Sequence, residues 1–454
     1  MPFCFGRITL TDVTVLYVRT RIETPEGRSA WGIGSSIASP LWFDKDPERS
    51  AADKMRNLML SVRLAADAYT VAAPQAARPL HRSASDAAAA RARALGINPL
   101  TASFGVAVLD AAVIDALCRL TGCTFHTGLR EDLFGLGRDF ARFVPKQPLS
   151  HLHVRHTVGL ADPLRRSDVA APLNDGLPET LEEVIESYGV SWFKIKITSD
   201  LEQTHERLAR IGELLEEHAL DYRITLDGNE HFVTGDVLER FVRETAASTQ
   251  LRSLWRRTLF IEQPLERDAA LAEGVAAPLA RVAEAKPVVI DESDGTDDTL
   301  ERALALGYAG VSAKNGKGVF RTLHNHGVIQ ERNSRGATTA FVTAEDLTNV
   351  PVFALHQDTC LVAALGLPHV ERNGHHYVRG LEFLAAGERE TALAEFPSLY
   401  RRGPDGLSRL HIENGRIDVS EINRHGYGTC TPPDPEALEA FELPEPGPSA
   451  EDEE

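Results

Sequence analysis

The sequence of 454 residues predicts an α/β protein whose main part is a (β/α)8-type barrel. Short apolar runs recur through the middle of the chain, and each run ends in a charged residue. These runs are Phe193–Lys196, Ile224–Asp227, Leu259–Glu262, Val288–Asp291 and Gly310–Lys314. They are typical of buried parallel strands, and the roughly 20 to 30 residues between them are enough for crossover helices. Five successive charged strand ends favour a barrel, which gathers many strand ends around one mouth, over a doubly wound sheet with one switch point.

Residues 1–148, before the barrel, are predicted to form an α+β capping domain. Ile8–Arg21 and Ser29–Ile37 alternate like strands. From residue 46 the composition shifts to Ala, Leu and Arg with helical spacing, which is strongest in Phe104–Leu120. A basic stretch with two prolines, residues 142–148, is interpreted as the linker into the barrel.

Residues 149–385 are predicted to hold the eight strands of the barrel. Leu152–Val158 is the expected first strand, and Thr338–Thr343 and Gly366–Glu371 are the expected seventh and eighth. Helix signals lie between the strands, such as a Ser-x-x-Glu capping box that begins at Ser199 and a Gly stop at position 307.

The remaining residues are predicted to complete the capping domain and then to lose structure. Residues 386–435 form a C-terminal segment that we expect to return to the capping domain. Within it, Leu407–Val419 is predicted to be a hairpin because Asn414-Gly415 at its centre favours a tight turn. Residues 436–454 are acidic and contain prolines, so they are predicted to be disordered.

The composition is that of a globular protein with a packed core, with 43% hydrophobic and 25% charged residues. A formal net charge of −18 opposes binding to nucleic acid and gives no polybasic surface for a membrane. The first residues lack the apolar region of a signal peptide, so we expect a cytoplasmic protein. The five cysteines have no Cys-x-x-Cys spacing, and we expect reduced thiols without a chemical role.

Lysine is scarce in this chain, and several of its positions are strand ends. The lysines are Lys45, Lys54, Lys146, Lys194, Lys196, Lys286, Lys314 and Lys317. Lys194 and Lys196 are two apart on one predicted strand, so both side chains point to the same side of the sheet. Because lysine loses its proton when desolvated and arginine does not, these lysines are candidates for proton transfer.

Three carboxylates, Asp227, Glu262 and Asp291, each follow an apolar run. An ionised carboxylate in such a place is costly unless it is paired or bound to a metal. Three of them at successive strand ends, without His or Cys, form the all-oxygen donor set that suits Mg²⁺. Helix capping or a salt bridge could explain any single one, but explains the trio less well.

The sequence here resembles the enolase superfamily, in particular its muconate lactonizing enzyme-like branch. The matching segments are Lys194-Ile195-Lys196, Asp227-Gly228-Asn229, Ile261-Glu262-Gln263-Pro264, Ile290-Asp291-Glu292-Ser293 and Ala313-Lys314. The resemblance implies that Asp227, Glu262 and Asp291 bind Mg²⁺. It also implies that Lys196 and Lys314 form an acid/base pair, and that Lys194 contacts the substrate carboxylate and lowers the pKa of Lys196. A homo-oligomer and a capping domain that selects the substrate are further implications.

The chain departs from the family pattern in the region that would read the substrate. The capping segment reads Gly32-Ile33-Gly34-Ser35 where the family often has Gly-x-Gly-Glu, and no histidine ends the seventh strand. The second departure argues against the mandelate racemase branch, with its His-Asp dyad.

Several polar positions could contact substrate or serve as caps. They are Asn229, Glu345, Asp346, His375 and His376. Glu292 is an alternative to Asp291 as the third metal ligand, and Lys317 is expected to face solvent.

The sequence therefore predicts a Mg²⁺-dependent enzyme that removes the proton α to the carboxylate of a small molecule and forms an enolate. Elimination, by a lyase or dehydratase, is favoured because the His and acidic residues after strands seven and eight could help a leaving group depart. The alternatives are a racemase or epimerase, a cycloisomerase, and, from another class, a noncatalytic scaffold that binds a carboxylate or a metal.

Overall fold

The computed structural model describes residues 3–5, 8–10, 12–218, 221–336, 339–346, 348–424 and 426–428, together with positions 431, 436, 438–440 and 442. The predicted C-terminal tail, residues 436–454, lies almost wholly outside the described residues.

The N-terminal region combines two antiparallel hairpins with helices. Strand β1 (Phe3–Phe5) pairs with β2 (Ile8–Leu10), and β3 (Thr14–Glu23) pairs with β4 (Ser29–Ala38) along its whole length. The helices are α1 (Pro40–Phe43), α2 (Ala51–Val71), α3 (Ala77–Ala94), α4 (Pro99–Thr121) and α5 (Phe125–Arg130). The prediction of a single strand over Ile8–Arg21 is wrong, since this stretch forms β2 and most of β3.

Helix α4 lies against β4, and glycines make this contact possible. A Cβ atom on Gly34 would lie 2.0 Å from the carbonyl oxygen of Val108, and one on Gly32 would lie 2.1 Å from that of Ala112. Glycine is therefore required at both positions for packing. By length and composition α4 could cross a membrane, but 94% of its most apolar window is buried inside the protein.

Eight parallel strands form one curved sheet. They are β5 (His151–Val158), β6 (Trp192–Lys196), β7 (Arg223–Asp227), β8 (Thr258–Glu262), β9 (Val288–Ile290), β10 (Gly310–Ala313), β11 (Phe341–Ala344) and β12 (His369–Glu371). In this sheet the consecutive strands from β5 to β11 are neighbours. Strand β12 pairs with β5, so the order runs from β11 back to β5 and ends at β12. The predicted parallel strands of the central part are confirmed.

Helices alternate with these strands. They are α6 (Leu181–Tyr188), α7 (Leu201–Glu217), α8 (Gly235–Ala247), α9 (Arg252–Arg257), α10 (Ala276–Ala283), α11 (Thr299–Leu306), α12 (Val319–Ser334), α13 (Phe353–Ala364) and α14 (Gly374–Tyr377). Helix α11 ends at Gly307 as predicted, with a left-handed φ of 107°. The predicted cap of α7 is wrong by one residue: the Asp200 side chain, not that of Ser199, accepts a hydrogen bond from the Gln203 backbone N–H.

Strands β11 and β12 correct the predicted bounds of the seventh and eighth strands. Position 338 is outside the described residues, and β11 extends to Ala344. Strand β12 begins at His369 rather than at Gly366, because Gly366, with φ of 72°, belongs to the end of α13.

The chain ends with α15 (Ala386–Glu395), β13 (Tyr400–Arg402), β14 (Ser408–Leu410) and β15 (Arg416–Asp418). The predicted hairpin over Leu407–Val419 is wrong: β14 pairs with β13, and β15 pairs antiparallel with β5 of the large sheet. The turn at Asn414 and Gly415 does form, with φ of 51° and 69°. It connects two strands that belong to different sheets.

Candidate active site

The predicted charged residues meet at the C-terminal edge of the parallel sheet. In the register of the sheet, Lys196 lies beside Asp227 on the neighbouring strand, and Asp227 lies beside Glu262. Asp291 follows β9 and Lys314 follows β10 at the same edge. All five side chains are buried, so their charges act on one another with little screening by water.

Lys194 lies at the centre of a buried cluster of carboxylates. Its Nζ is 2.9 Å from an oxygen of Asp227, 2.9 Å from Glu262 and 3.0 Å from Glu371, and it also contacts Glu345. Although burial opposes a charged lysine, these carboxylates hold the pKa of Lys194 well above its usual value. Lys194 is therefore a fixed positive charge rather than a group that gives up its proton.

Lys196 donates a hydrogen bond of 2.6 Å to Asp227 Oδ2 and is 9% exposed, more than the other two lysines of the site. Lys314 forms an ion pair with Asp291, and its ammonium lies 4.3 Å from the ring centroid of Trp42 in α1. Three strands, β7, β8 and β9, lie between β6 and β10 in the sheet. The Trp42 contact brings the N-terminal region next to Lys314.

Lys317 is buried, so the expectation that it faces solvent is wrong. It is 2% exposed, and its Nζ donates a hydrogen bond of 2.6 Å to the Ser312 carbonyl oxygen. It also lies 3.3 Å from Asp291 Oδ1 and 3.3 Å from Asp294 Oδ2. The 3₁₀ turn at Asn315–Lys317 folds the side chain back toward the strand ends.

Asp291 and the neighbouring Glu292 have different surroundings. Asp291 contacts Lys314 and Lys317, inside the cluster of strand-end charges. Glu292 accepts a hydrogen bond of 3.1 Å from the Asn229 side chain and lies 3.4 Å from Lys45 Nζ. These contacts favour Asp291 as the third metal ligand and leave Glu292 at the edge of the site.

The donor chemistry of the three carboxylates fits a hard cation. Glu262 is fully buried, and its Oε2 has no hydrogen-bond partner among the described residues. Burial, together with the nearby Asp227 and Asp291 carboxylates, raises the pKa of Glu262 to about 7 despite the neighbouring Lys194. An additional positive charge would relieve this cost, and Mg²⁺ prefers such all-oxygen donors.

The ammonium groups separate these donors from one another. Lys194 lies between Asp227 and Glu262, and Lys314 contacts Asp291. In the part of the chain that the structure describes, no three Asp, Glu, His or Cys side chains form a group that could hold a metal ion. Binding a cation here therefore requires the lysine ammonium groups to move aside.

Two further charged residues of the site were missed in the sequence. Arg155 of β5 is fully buried, donates 3.0 Å hydrogen bonds to Thr343 Oγ1 and the Ala344 carbonyl oxygen, and pairs with Glu345. Glu371 ends β12 and pairs with Lys194. Although burial opposes its ionisation, Lys194 holds the pKa of Glu371 below its usual value. Glu371 ends its strand, as Asp227 and Glu262 do, but Val370 is the single apolar residue of β12, so the apolar-run signal is weaker there.

The predicted substrate-contacting residues separate into two groups. Asn229 donates a hydrogen bond to Glu292, and Glu345 forms an ion pair with Lys194. Both residues therefore lie at the charged cluster. Asp346 also lies at this edge and forms an ion pair with Arg372.

His375 and His376 belong to a different environment. Their rings are 5.3 Å and 5.2 Å from the ring of His156, and His375 is 5.1 Å from Tyr188 of α6. His156 lies between Arg155 and Thr157, which both reach into the charged cluster, so strand alternation puts His156 on the opposite face. The structure therefore does not bring these two histidines together with the lysines.

A cavity of about 1200 Å³ lies beside the charged cluster, between the N-terminal region and the large sheet. Asn229 and Glu292 line it, and so does Lys45, which pairs with Glu230. Arg267, also in its wall, donates a hydrogen bond to the Phe43 carbonyl oxygen.

Comparisons with known proteins gave similarity of structure only. No family model matches the sequence, and no curated protein matches it. A mandelate racemase/muconate lactonizing enzyme from Roseiflexus sp. has a TM-score of 0.55 at 18% identity, covering 92% of this chain and 97% of its own. A muconate cycloisomerase from Pseudomonas fluorescens gives 0.53 at 15% identity, covering 92% of this chain and 94% of its own.

A third structure, the muconate lactonizing enzyme from Pseudomonas putida, has a TM-score of 0.54 at 14% identity, covering 90% of this chain and 92% of its own. This chain therefore shares its fold with these proteins over nearly its whole length. The predicted resemblance to the muconate lactonizing enzyme-like proteins is confirmed as a similarity of fold.

Proposed function

We propose that this protein is a Mg²⁺-dependent enzyme that removes the proton α to a carboxylate and passes through an enolate. The observation that carries the proposal is that Lys196, at the end of β6, and Lys314, directly after β10, lie at the same sheet edge as the buried carboxylates Asp227, Glu262 and Asp291. In a closed barrel these two lysines would face each other across the carboxylates. Two bases on opposite sides can remove a proton from one face of a carbon and return one to the other.

The proposal includes a closed barrel whose mouth is capped by the N-terminal region. Arg155 of the first strand donates hydrogen bonds to Thr343 and Ala344 of the seventh, which supports closure across the interior. The contact between Trp42 of α1 and Lys314 supports the capping role.

The carboxylates of Asp227, Glu262 and Asp291 would hold Mg²⁺, which supplies positive charge to stabilise the enolate when it is bound. Lys194 adds a permanent positive charge to the same cluster, held in place by Glu345 and Glu371. Such preorganised charge favours a substrate that becomes more negative as its proton leaves.

Lys196 and Lys314 carry the proton transfers in this proposal. In the structure each ammonium is held by a carboxylate, Asp227 and Asp291 respectively. When these carboxylates turn to a cation, each lysine loses its anionic partner while it stays buried. For Lys314, burial opposes the charged form while Asp291 holds the pKa above its usual value, so losing that partner would favour the neutral base.

Isomerisation by proton transfer is the outcome that this geometry supports best. The sequence favoured elimination partly through the residues that follow strand eight, but His375 and His376 pack against His156 and Tyr188. These two histidines therefore give less support to the idea that an acid near strand eight protonates a leaving group. Two lysines facing each other need no leaving group.

The test is proton NMR in D₂O with Mg²⁺ and pooled hydroxy acids, acid sugars, N-acyl amino acids and dipeptides. Loss of an α-proton signal without a new compound indicates racemisation or epimerisation, and a new vinylic or keto signal indicates elimination. Lys314→Met should slow the reaction by about 10²- to 10⁴-fold, whereas Lys146→Met, at an exposed position, should not. Unchanged turnover in Lys314→Met would refute the assignment, and silence in every pool with Mg²⁺ bound would favour a noncatalytic scaffold.

A further inference from the structure

Lys54 is a buried lysine that has no ionic partner among the residues that the structure describes. It lies in the first part of α2 and is 7% exposed, and its side chain lines the cavity of about 1200 Å³ between the N-terminal region and the sheet. Within the described ranges, no carboxylate forms an ion pair with it and no side-chain or carbonyl oxygen accepts a hydrogen bond from it. The ammonium reaches the cavity without a partner from the described part of the chain, so an anion in the cavity could pair with it.

Most acidic residues in the cavity wall are engaged by groups other than Lys54. Asp44 pairs with Arg49 at 2.8 Å, and Asp46 lies 3.6 Å from the same arginine. Glu230 pairs with Arg267 and Lys45. The remaining acids of the wall are Glu266, Asp268 and Glu292. Glu266 accepts backbone hydrogen bonds, and Glu292 accepts one from the Asn229 side chain. These two carboxylates therefore have partners other than Lys54.

The rest of the wall near α2 also favours negative charge. The cavity is lined by Asn98, Pro99 and Leu100, which form the N-terminal end of the 23-residue helix α4. The N-terminus of a long helix carries a partial positive charge. The exposed side chain of Arg93, at the end of α3, lines the same space.

From these observations we infer that the cavity is a binding site for a small anionic molecule, and that the Lys54 ammonium binds its carboxylate or phosphate group. Asn229 and Glu292 line this cavity and also lie at the edge of the charged cluster, so the anion site would adjoin the site of the proposed function. A molecule held at Lys54 lies on the approach to the strand-end lysines.

The first test is lysine acetylation of the full chain, followed by mass spectrometry. Inorganic phosphate and malonate are the two probes, and sodium chloride at equal ionic strength is the control. We expect at least one probe to protect Lys54 in a saturable way, while the exposed Lys146 reacts at the same rate throughout. Protection by phosphate alone indicates a phosphate site, and protection by malonate indicates a carboxylate site.

The second test is calorimetric titration of the protecting anion into variants. Lys54→Met should lower the affinity about tenfold or more, because a hydrogen bond to a charged group is lost. Lys54→Arg should retain most of it, and Lys146→Met removes the same charge elsewhere and should bind like the wild type. If neither probe protects Lys54 beyond chloride, or if Lys54→Met and Lys146→Met bind equally, the inference is wrong. Neither measurement needs turnover, so its failure is distinct from a failure of the proposed reaction.

Discussion

At the scale of single residues, the site is governed by how each buried charge is compensated. Lys194 serves four carboxylates, whereas Lys196 serves Asp227 alone. If one of its several carboxylate partners is removed, Lys194 still has the others. If Asp227 is removed, the buried Lys196 ammonium is left without a carboxylate partner. This difference is consistent with the proposed roles, a fixed charge for Lys194 and proton transfer for Lys196.

Lys317 offers a sharp test of the burial of these charges. Lys317→Met should destabilise the protein by about 3 to 5 kcal/mol, because Asp291 and Asp294 would keep their charges without this partner. The control is Lys146→Met at an exposed position, which should change stability by less than about 0.5 kcal/mol. Urea unfolding followed by circular dichroism measures both. Equal midpoints for the two variants would contradict the burial of Lys317.

The residues of the site differ in how far the sequence could predict them. Asp227, Glu262 and Lys314 each end a buried strand, and local periodicity is enough to detect that. The direction of Lys317 depends on a 3₁₀ turn, and the contact of Trp42 with Lys314 joins residues far apart in the chain. Such contacts are set by tertiary packing, which local patterns do not contain.

At the scale of elements, the pairing of β4 with α4 explains a motif that the sequence left without a role. Gly32 and Gly34 belong to the segment that departs from the expected Gly-x-Gly-Glu pattern, and both glycines allow the strand to lie against the helix backbone. The turn residues Asn414 and Gly415 predict the turn but not the pairing of the strands beside it. Asn414-Gly415 gave the turn correctly, but the partners of the flanking strands are set by distant segments.

Gly34→Ala tests this close packing. The added methyl group would meet the Val108 carbonyl oxygen at 2.0 Å, so the strand and the helix must separate. We expect a loss of about 1 to 3 kcal/mol or more in the free energy of unfolding. Gly387→Ala is the matched control: nothing lies within 4 Å of its added methyl, and it sits in the first turn of α15. That variant should be neutral or slightly stabilising, and a Gly34→Ala protein as stable as this control would contradict the packing.

At the scale of the whole molecule, the buried charges around the strand ends do not balance. Eight buried carboxylates are Asp227, Glu262, Asp291, Glu292, Asp294, Glu345, Asp346 and Glu371. Six buried cations are Arg155, Lys194, Lys196, Lys314, Lys317 and Arg372. The carboxylates outnumber these cations by two, or by one when Lys45, which pairs with Glu292, is counted, so a bound cation would reduce the net negative charge at the strand ends.

Mg²⁺ should therefore stabilise the folded protein. At a free concentration about 100 times its dissociation constant, the gain in unfolding free energy should be about 2.7 kcal/mol, and EDTA should remove it. Asp291→Asn should abolish this gain, whereas Glu292→Gln should keep it, because Glu292 faces Asn229 and Lys45. Thermal unfolding with NaCl at equal ionic strength as the control measures the effect. Loss of the gain in Glu292→Gln alone would reassign the third ligand to Glu292.

Helix α13 contains two buried groups that make stability depend on pH in opposite directions. Burial lowers the pKa of His356 to about 3, so this ring stays neutral in the folded protein while the unfolded chain takes up a proton below its ordinary pKa of 6.5. His356 therefore removes stability as the pH falls from 6.5 toward 3. Burial and the nearby Asp346 raise the pKa of Asp358 to about 7, from 3.8. Asp358 therefore adds stability as the pH falls from about 7 toward 3.8.

Replacing each group should change the pH dependence with opposite sign. Each uncompensated proton contributes a slope of about 1.4 kcal/mol per pH unit. Between about pH 4 and 6, Asp358→Asn should make the loss of unfolding free energy on acidification steeper than in the wild type, and His356→Gln should make it shallower. Urea unfolding at several pH values measures both slopes, so a uniform loss of stability is separated from a titration effect. Parallel curves for the three proteins would show that neither group is held in the charge state that its burial requires.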